Sequence, residues 1–313
     1  MIRIMSEVVD SPVYVVAVSG GVDSVVLLHM LVNSEIRLLN SSFRLVVAHF
    51  DHGIRPDSHE DAELVESLAA QYELEFVLGK GKLGSDASEA TAREARYQFL
   101  HEVRDTYGAE AVVLAHHEDD VIETAVHNLL RGTGRKGLTS LSSTSDYIRP
   151  LLDTPKTHLV AYAKANNLRW HEDSTNRDTK YTRNYIRHIV LPKLYDTDRT
   201  ARDQLRSIIA VMRDLNHSID DCLEDMIELL KTGEQDSYDR HAFRTLPDEV
   251  QREVLLAILR AHNARDVDRK SIDRLLYGIM QLPSRKIMNV CHHIDLKVWR
   301  DSIQIVDRGS ETV

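Results

Sequence analysis

Val13-Tyr14-Val15-Val16-Ala17-Val18-Ser19-Gly20-Gly21-Val22-Asp23-Ser24-Val25-Val26-Leu27-Leu28 is the stretch that decides the fold. Val13 to Val18 is a continuous apolar run, the pattern of a strand covered on both faces. Val25 to Val32 has helical character and is apolar nearly all round, so a helix is expected deep against the sheet. Between them lies a compact Ser/Gly hexad, Ser19 to Ser24. Glycines allow a tight turn and close approach of backbone to an anion. The following helix N-terminus offers unpaired N–H groups and partial positive charge. Two serine hydroxyls add donors, and the whole suits a pyrophosphate group. Asp23 is out of place beside phosphates unless a cation intervenes, which points to Mg²⁺ with Asp23 as its ligand. A bare Ser/Gly turn would mean only a helix cap. The complete hexad directly after a buried strand favours the phosphate site.

Outward from this stretch the alternation continues. Phe43 to Ala48, Leu74 to Leu78 and Ala111 to Ala115 read as further buried strands. Asp61–Tyr72 and Ala90–Tyr107 read as helices between them. Strands alternating with helices imply an α/β fold with an open, mostly parallel sheet and helices on both faces. After Pro150 the pattern becomes helical: Pro155 to Asn167, then Tyr181 to Leu194 closed by Pro192, then Asp203 to Lys231, Pro247 to His262 and Ser271 to Gln281. Leu296–Trp299 and Ile303–Val306 read as a short hairpin. A catalytic domain over 1–200 followed by a smaller, mainly helical domain over 201–313 is therefore expected.

Composition narrows the class. With 42% hydrophobic and 28% charged residues in 313, the chain reads as soluble and globular. No stretch has the apolar length to span a bilayer, and Met1 to Asp10 lacks the apolar core of a signal peptide. Cys222 and Cys291 are far apart and form no Cys-x-x-Cys, which argues against a disulfide framework or a cysteine cluster and fits a cytoplasmic protein. The formal net charge of −10 does not favour a nucleic-acid partner, so any such surface must be a concentrated basic strip.

Two rival nucleotide motifs fail. No Gly-x-x-x-x-Gly-Lys-Ser/Thr occurs. A Gly-x-Gly-x-x-Gly at Gly132, Gly134 and Gly137 follows a helical segment rather than a strand, and reads as a flexible loop. Asp119, Asp120 and Glu123 crowd three carboxylates at a helix start beside His116 and His117, after a strand. Each alone would only complement the helix dipole. Together at the C-terminal end of a strand they favour a site. Arg93 and Arg96 share a helix face, with Glu89 four residues before Arg93 as a surface pair. Arg183 and Arg187, with Asn184 between, read equally as a solvated face or a phosphate-binding strip.

The hexad is the signature of the PP-loop family, the N-type ATP pyrophosphatases, with an adenine nucleotide alpha hydrolase-like fold. Four further segments resemble the tRNA(Ile)-lysidine synthases within it: Asp51-His52-Gly53-Ile54-Arg55; Ser88 to Tyr97; Ala115 to Thr124 running on to Arg131-Gly132-Thr133-Gly134; and Trp170 to Asn176 with Tyr181 to Arg187. They cover the first two-thirds of the chain in order, and the chain resembles the short form, without a further C-terminal domain.

The resemblance implies ATP and Mg²⁺, with Ser19, Gly20, Gly21, Val22, Asp23 and Ser24 binding ATP. It implies adenylation of the C2 carbonyl oxygen of the wobble cytidine in the CAU-anticodon isoleucine tRNA, then attack on C2 by the ε-amino group of free L-lysine, with release of pyrophosphate and AMP. Asp23, Asp119, Asp120 and Glu123 are then the catalytic candidates, and Arg93, Arg96, Arg183, Asn184 and Arg187 the tRNA candidates. The C-terminal domain would also contact tRNA; no protein partner is expected, and a homodimer is compatible. The alternatives are a PP-loop tRNA cytidine thiolase and a non-catalytic nucleotide- or tRNA-binding protein.

Overall fold

The computed structural model describes residues 11–38, 43–53, 58–81, 89–172, 180, 182–233, 235–264, 267–291 and 293–308. Ile54, Arg55, Ser88, Asp173 to Asn176 and Tyr181 of the segments above, with the Glu89 side chain, lie outside this description. The chain divides into two compact units, residues 1–210 and 211–313.

In the first unit, β1 (Val13–Ala17), β2 (Arg44–Asp51), β3 (Glu75–Lys80), β4 (Ala111–Val113) and β5 (Tyr147–Ile148) form one parallel sheet in the order β3-β2-β1-β4-β5. Side chains alternate between two cores. Tyr14, Val16 and Val18 join Leu45, Val47, Ala111 and Val113 on one face, under α1 (Val22–Val32) and α2 (Ser58–Gln71). Val15 joins Val46, Ala48, Val112 and Leu114 on the other, with Leu100 and Val103 of α3 (Glu89–Tyr107). Both faces are covered, as continuous apolar runs require. Helix α1 buries Val22, Val25, Val26, Leu27, Leu28 and Leu31, so the helix expected to lie deep does so. It begins at Val22, which places Asp23 and Ser24 in its first turn.

β1 has β2 on one side and β4 on the other. The chain leaves these two neighbours in opposite directions across the sheet, so a crevice opens beyond the C-terminal ends of β1 and β4, the usual ligand position in such sheets. The hexad follows β1, and α4 (Glu118–Leu130) follows β4.

The segment expected as a single helix ending at Pro192 is built differently. A short α6 (Thr182–Tyr185) widens into a π-helical turn, Ile186–Val190, and continues as α7 (Leu191–Thr197), which carries the proline in its first turn. Leu191 N–H bonds to Ile186 O, five residues back. Pro192 has no N–H to give, and the wider turn lets the chain continue past it. The glycine segment after α4 also departs from a plain loop: Arg135–Thr139 is a 3₁₀ turn, and Asn128 Nδ2 donates to Gly137 O at 2.8 Å. After it, α5 (Lys156–Ala165) packs on α1.

The division between units falls inside α8 (Ala201–Leu230), after the turn at 198–200. The second unit adds β6 (Ser237–Asp239), α9 (Arg240–Thr245), α10 (Asp248–Ala261), α11 (Arg269–Gln281), β7 (Lys286–Cys291), β8 (Ile294–Val298) and β9 (Ser302–Asp307). The expected hairpin is β8–β9, the centre of a four-stranded antiparallel sheet ordered β6-β9-β8-β7. Phe243, Leu255, Leu275 and Leu296 are fully buried in its core. Among the described residues no helix is long and apolar enough to cross a membrane.

Candidate active site at the sheet switch point

The phosphate loop is braced from within. Gly20 adopts φ +88°, a region open to glycine and strained for other residues. Ser24 is buried; its Oγ accepts from Ser19 N–H at 3.1 Å and donates to Gly21 O at 2.9 Å. The Ser24 hydroxyl therefore shapes the loop rather than standing free as a donor. Gly21 caps α1 without a side-chain hydrogen bond. His171 N–H donates to Gly20 O at 3.0 Å, and its ring bonds Asp61 Oδ1 at 2.8 Å. The late segment thus reaches back onto the loop, a contact no local pattern announces.

Asp23 faces the crevice. Lys156 Nζ donates to its Oδ2 at 2.6 Å, and His117 Nε2 lies 3.7 Å from the same oxygen. Asp23 Oδ1 is buried with no hydrogen-bond partner. A carboxylate oxygen left so is costly unless a ligand meets it. That orphaned oxygen beside a phosphate loop fits Mg²⁺, which takes one or two protein carboxylates and completes its shell with phosphates and water.

Helix α4 opens with a reciprocal cap. His117 Nδ1 accepts from Asp120 N–H at 3.4 Å, and Asp120 Oδ2 accepts from His117 N–H at 3.0 Å. The three predicted carboxylates meet here, with different partners. Asp119 accepts the Lys156 backbone N–H at 2.8 Å on one oxygen and Arg202 at 2.9 Å on the other. Burial alone would raise its pKa, but these two donors outweigh burial and hold it below the ordinary 3.8. Arg202 also bonds the buried Glu118 at 3.0 Å. Glu123 is buried and receives both Arg187 Nε at 2.6 Å and Nη2 at 2.7 Å, a bidentate pair. The same Nη2 reaches Asp120 Oδ1 at 3.1 Å. Burial still pushes the Glu123 carboxyl above its ordinary value, against the pull of Arg187. Arg187, one of the expected tRNA contacts, thus spends its guanidinium on carboxylates of the crevice.

A second, cationic group lies beside the first. Arg93 and Arg96 stand over the Tyr97 ring, 4.7 and 5.7 Å from its centroid. Arg149, buried after β5, donates from Nε to His116 Nδ1 at 3.2 Å and lies over Tyr147. Burial first, then Arg149, Arg93 and Arg96, push the His116 pKa down to about 3. His116 is therefore a neutral imidazole whose Nδ1 accepts, leaving the proton on Nε2. Arg183 and Asn184 sit half-exposed on α6. Sequence reasoning missed Lys156, Arg149 and Arg202. Lys156 meets Asp23 across 133 residues and Arg202 meets Glu118 across 84, separations at which periodicity carries no signal. Among the described residues no group of three or more His, Cys, Asp or Glu has the arrangement of a metal centre.

Comparison with known proteins agrees with this geometry. The PP-loop domain profile matches residues 2–194. A tRNA(Ile)-lysidine synthase of Thermotoga maritima is 36% identical over 220 residues, 68% of this chain and 52% of the relative. The chain thus spans about half the length of that protein. One from Bradyrhizobium diazoefficiens is 33% identical over 278 residues, 84% of this chain and 75% of the relative. Among solved structures, the U34-tRNA thiolase NcsA from Methanococcus maripaludis shares the fold, with TM-score 0.53 at 15% identity over 66% of this chain and 72% of that one. The chain belongs to the PP-loop domain family and, within it, to the tRNA(Ile)-lysidine synthases.

Proposed function

We propose that this chain is an ATP-dependent ligase that joins free L-lysine to C2 of the wobble cytidine in the CAU-anticodon isoleucine tRNA. The observation that carries the reading is the meeting, beyond β1 and β4, of a phosphate loop with the carboxylate-bearing start of α4. In the first step cytosine O2 attacks the α-phosphorus of ATP, and the bond to pyrophosphate breaks. In the second, the neutral ε-amine attacks C2, the C2–O bond to AMP breaks, and AMP leaves.

Ser19 to Ser24 cradle the departing pyrophosphate on the N-terminus of α1. Lys156 stands at the loop with its ammonium on Asp23. Mg²⁺, held by Asp23, would neutralise charge on the pyrophosphate. The lysine side chain has a pKa of about 10.4, so a base must take a proton before attack. Asp120 and Glu123 are assigned to that ammonium. Burial raises the Glu123 pKa above that of an ordinary glutamate, which makes it a stronger base toward the amine proton. Asp119, saturated by Lys156 and Arg202, is assigned to holding α4 in place.

Arg93 and Arg96, with Arg183 and Asn184, are assigned to tRNA, whose anticodon loop presents unstacked bases to such side chains. The second unit is assigned to the same partner, since similarity to the Bradyrhizobium relative covers 84% of the chain. A cytoplasmic location follows from the proposed substrates. The test is incubation with ATP, labelled lysine and a mixed tRNA pool, followed by identification of the labelled tRNA. Label in one isoleucine tRNA, with AMP and pyrophosphate released in equal amounts, is expected. No incorporation, or incorporation from a sulfur donor instead, overturns the assignment.

A further inference from the structure

Arg187 fills the carboxylate pair that the proposed function gives to the substrate ammonium. Its guanidinium takes both oxygens of Glu123 and one of Asp120. The Glu123 side chain is 5% exposed, whereas the Arg187 side chain is 35% exposed. Of the two partners, the arginine is the one open to solvent. Its backbone belongs to the π-helical turn Ile186–Val190, an uncommon geometry that often marks a functional position. Asp119, by contrast, has one oxygen held by the Lys156 backbone N–H, a partner that cannot swing away as a side chain can.

We infer that Arg187 is a tethered surrogate for the lysine ε-ammonium, which occupies the Asp120–Glu123 pair in the empty enzyme and is displaced when the amino acid binds. The inference rests on the proposed function, because it takes lysine as the displacing cation. Displacement keeps the buried Glu123 carboxylate paired at every stage, so it is not left as an uncompensated charge. A tethered cation competes at an effective concentration of about millimolar. It thereby raises the lysine concentration needed for half-saturation, and keeps the pair closed to small cations of the solution.

The test uses the wild-type chain with ATP and without tRNA. Phenylglyoxal labels accessible arginine, and Arg187 is followed by peptide mapping. Lysine should speed labelling of Arg187 severalfold. Norleucine, with the same α-amine and no side-chain cation, should not. Equal or slower labelling with bound lysine overturns the exchange. Lysine incorporation into the CAU-anticodon tRNA by the same preparation separates the two readings: no incorporation overturns the proposed function itself. In Arg187→Ala, half-saturation by lysine should fall about tenfold, and guanidinium ion should become competitive with lysine. A higher lysine requirement with no effect of guanidinium ion would instead make Arg187 a fixed part of the pocket.

Discussion

Asp119 and Glu123 stand on one helix, four residues apart, and their surroundings drive them in opposite directions. Asp119 is held below its ordinary pKa by the Lys156 N–H and Arg202, despite burial. A depressed carboxylate stabilises the fold above its unfolded value, and that contribution is lost as pH falls through the folded value. Asp119→Asn should cost about 1.5–3 kcal/mol at neutral pH, the range for a hydrogen bond to a charged group. The gap to wild type should close as pH drops below about 4, near the unfolded value. Parallel urea melts from pH 7 to pH 3 measure it. A gap that stays constant would mean that an amide NH2 set against a donor, and not the lost charge, carries the effect. Glu123 is raised by burial, so its sign is reversed: its favourable share is full below the ordinary glutamate value and fades as pH rises through the raised one.

At the scale of elements, α4 is the one that makes the site, and its start depends on an unusual cap. Histidine is not among the favoured N-cap residues, yet His117 accepts the Asp120 N–H and is buried beside Asp23. His117→Ala should lose about 0.5–2 kcal/mol of stability, whereas His117→Asn should recover most of it, because the amide oxygen can accept the same N–H. Thermal unfolding of both variants decides this, and equal losses would place the role of His117 in packing. The elements themselves were legible in the sequence to different depths. Buried strands β1 and β2 and helix α1 each contain an apolar run long enough to read as a buried element. The strands that went unread, β5, β6 and β7, all lie at sheet edges. β5 has two residues and β6 three, and β7 leaves Lys286, Ile287 and Asn289 exposed. An edge strand is paired on one side only, so its sequence need not show alternation or length. The site follows the same rule. The hexad and the carboxylates are local and could be read; the cations that sort the carboxylates arrive from Lys156, Arg187 and Arg202, far along the chain.

Over the whole molecule the formal charge of −10 repels a polyanion, so the proposed tRNA must be drawn by arginines placed where acids are few or already paired. Two of the expected arginine positions differ in this respect. Arg187 has its charge committed to Asp120 and Glu123, whereas Arg183, four residues earlier on α6, is half-exposed. Each phosphate contact releases condensed counterions and steepens the dependence of affinity on salt. Arg183→Ala should therefore weaken tRNA binding and flatten the plot of log affinity against log salt by about one unit. Arg187→Ala should leave that slope near the wild-type value, since its guanidinium neutralises carboxylates in the free protein. Filter binding of the CAU-anticodon tRNA at several salt concentrations separates the two, with ATP binding measured alongside as a control on folding. An unchanged slope for Arg183→Ala would return that residue to a solvated helix face, and a flattened slope for Arg187→Ala would mean that tRNA itself draws the guanidinium out of the carboxylate pair.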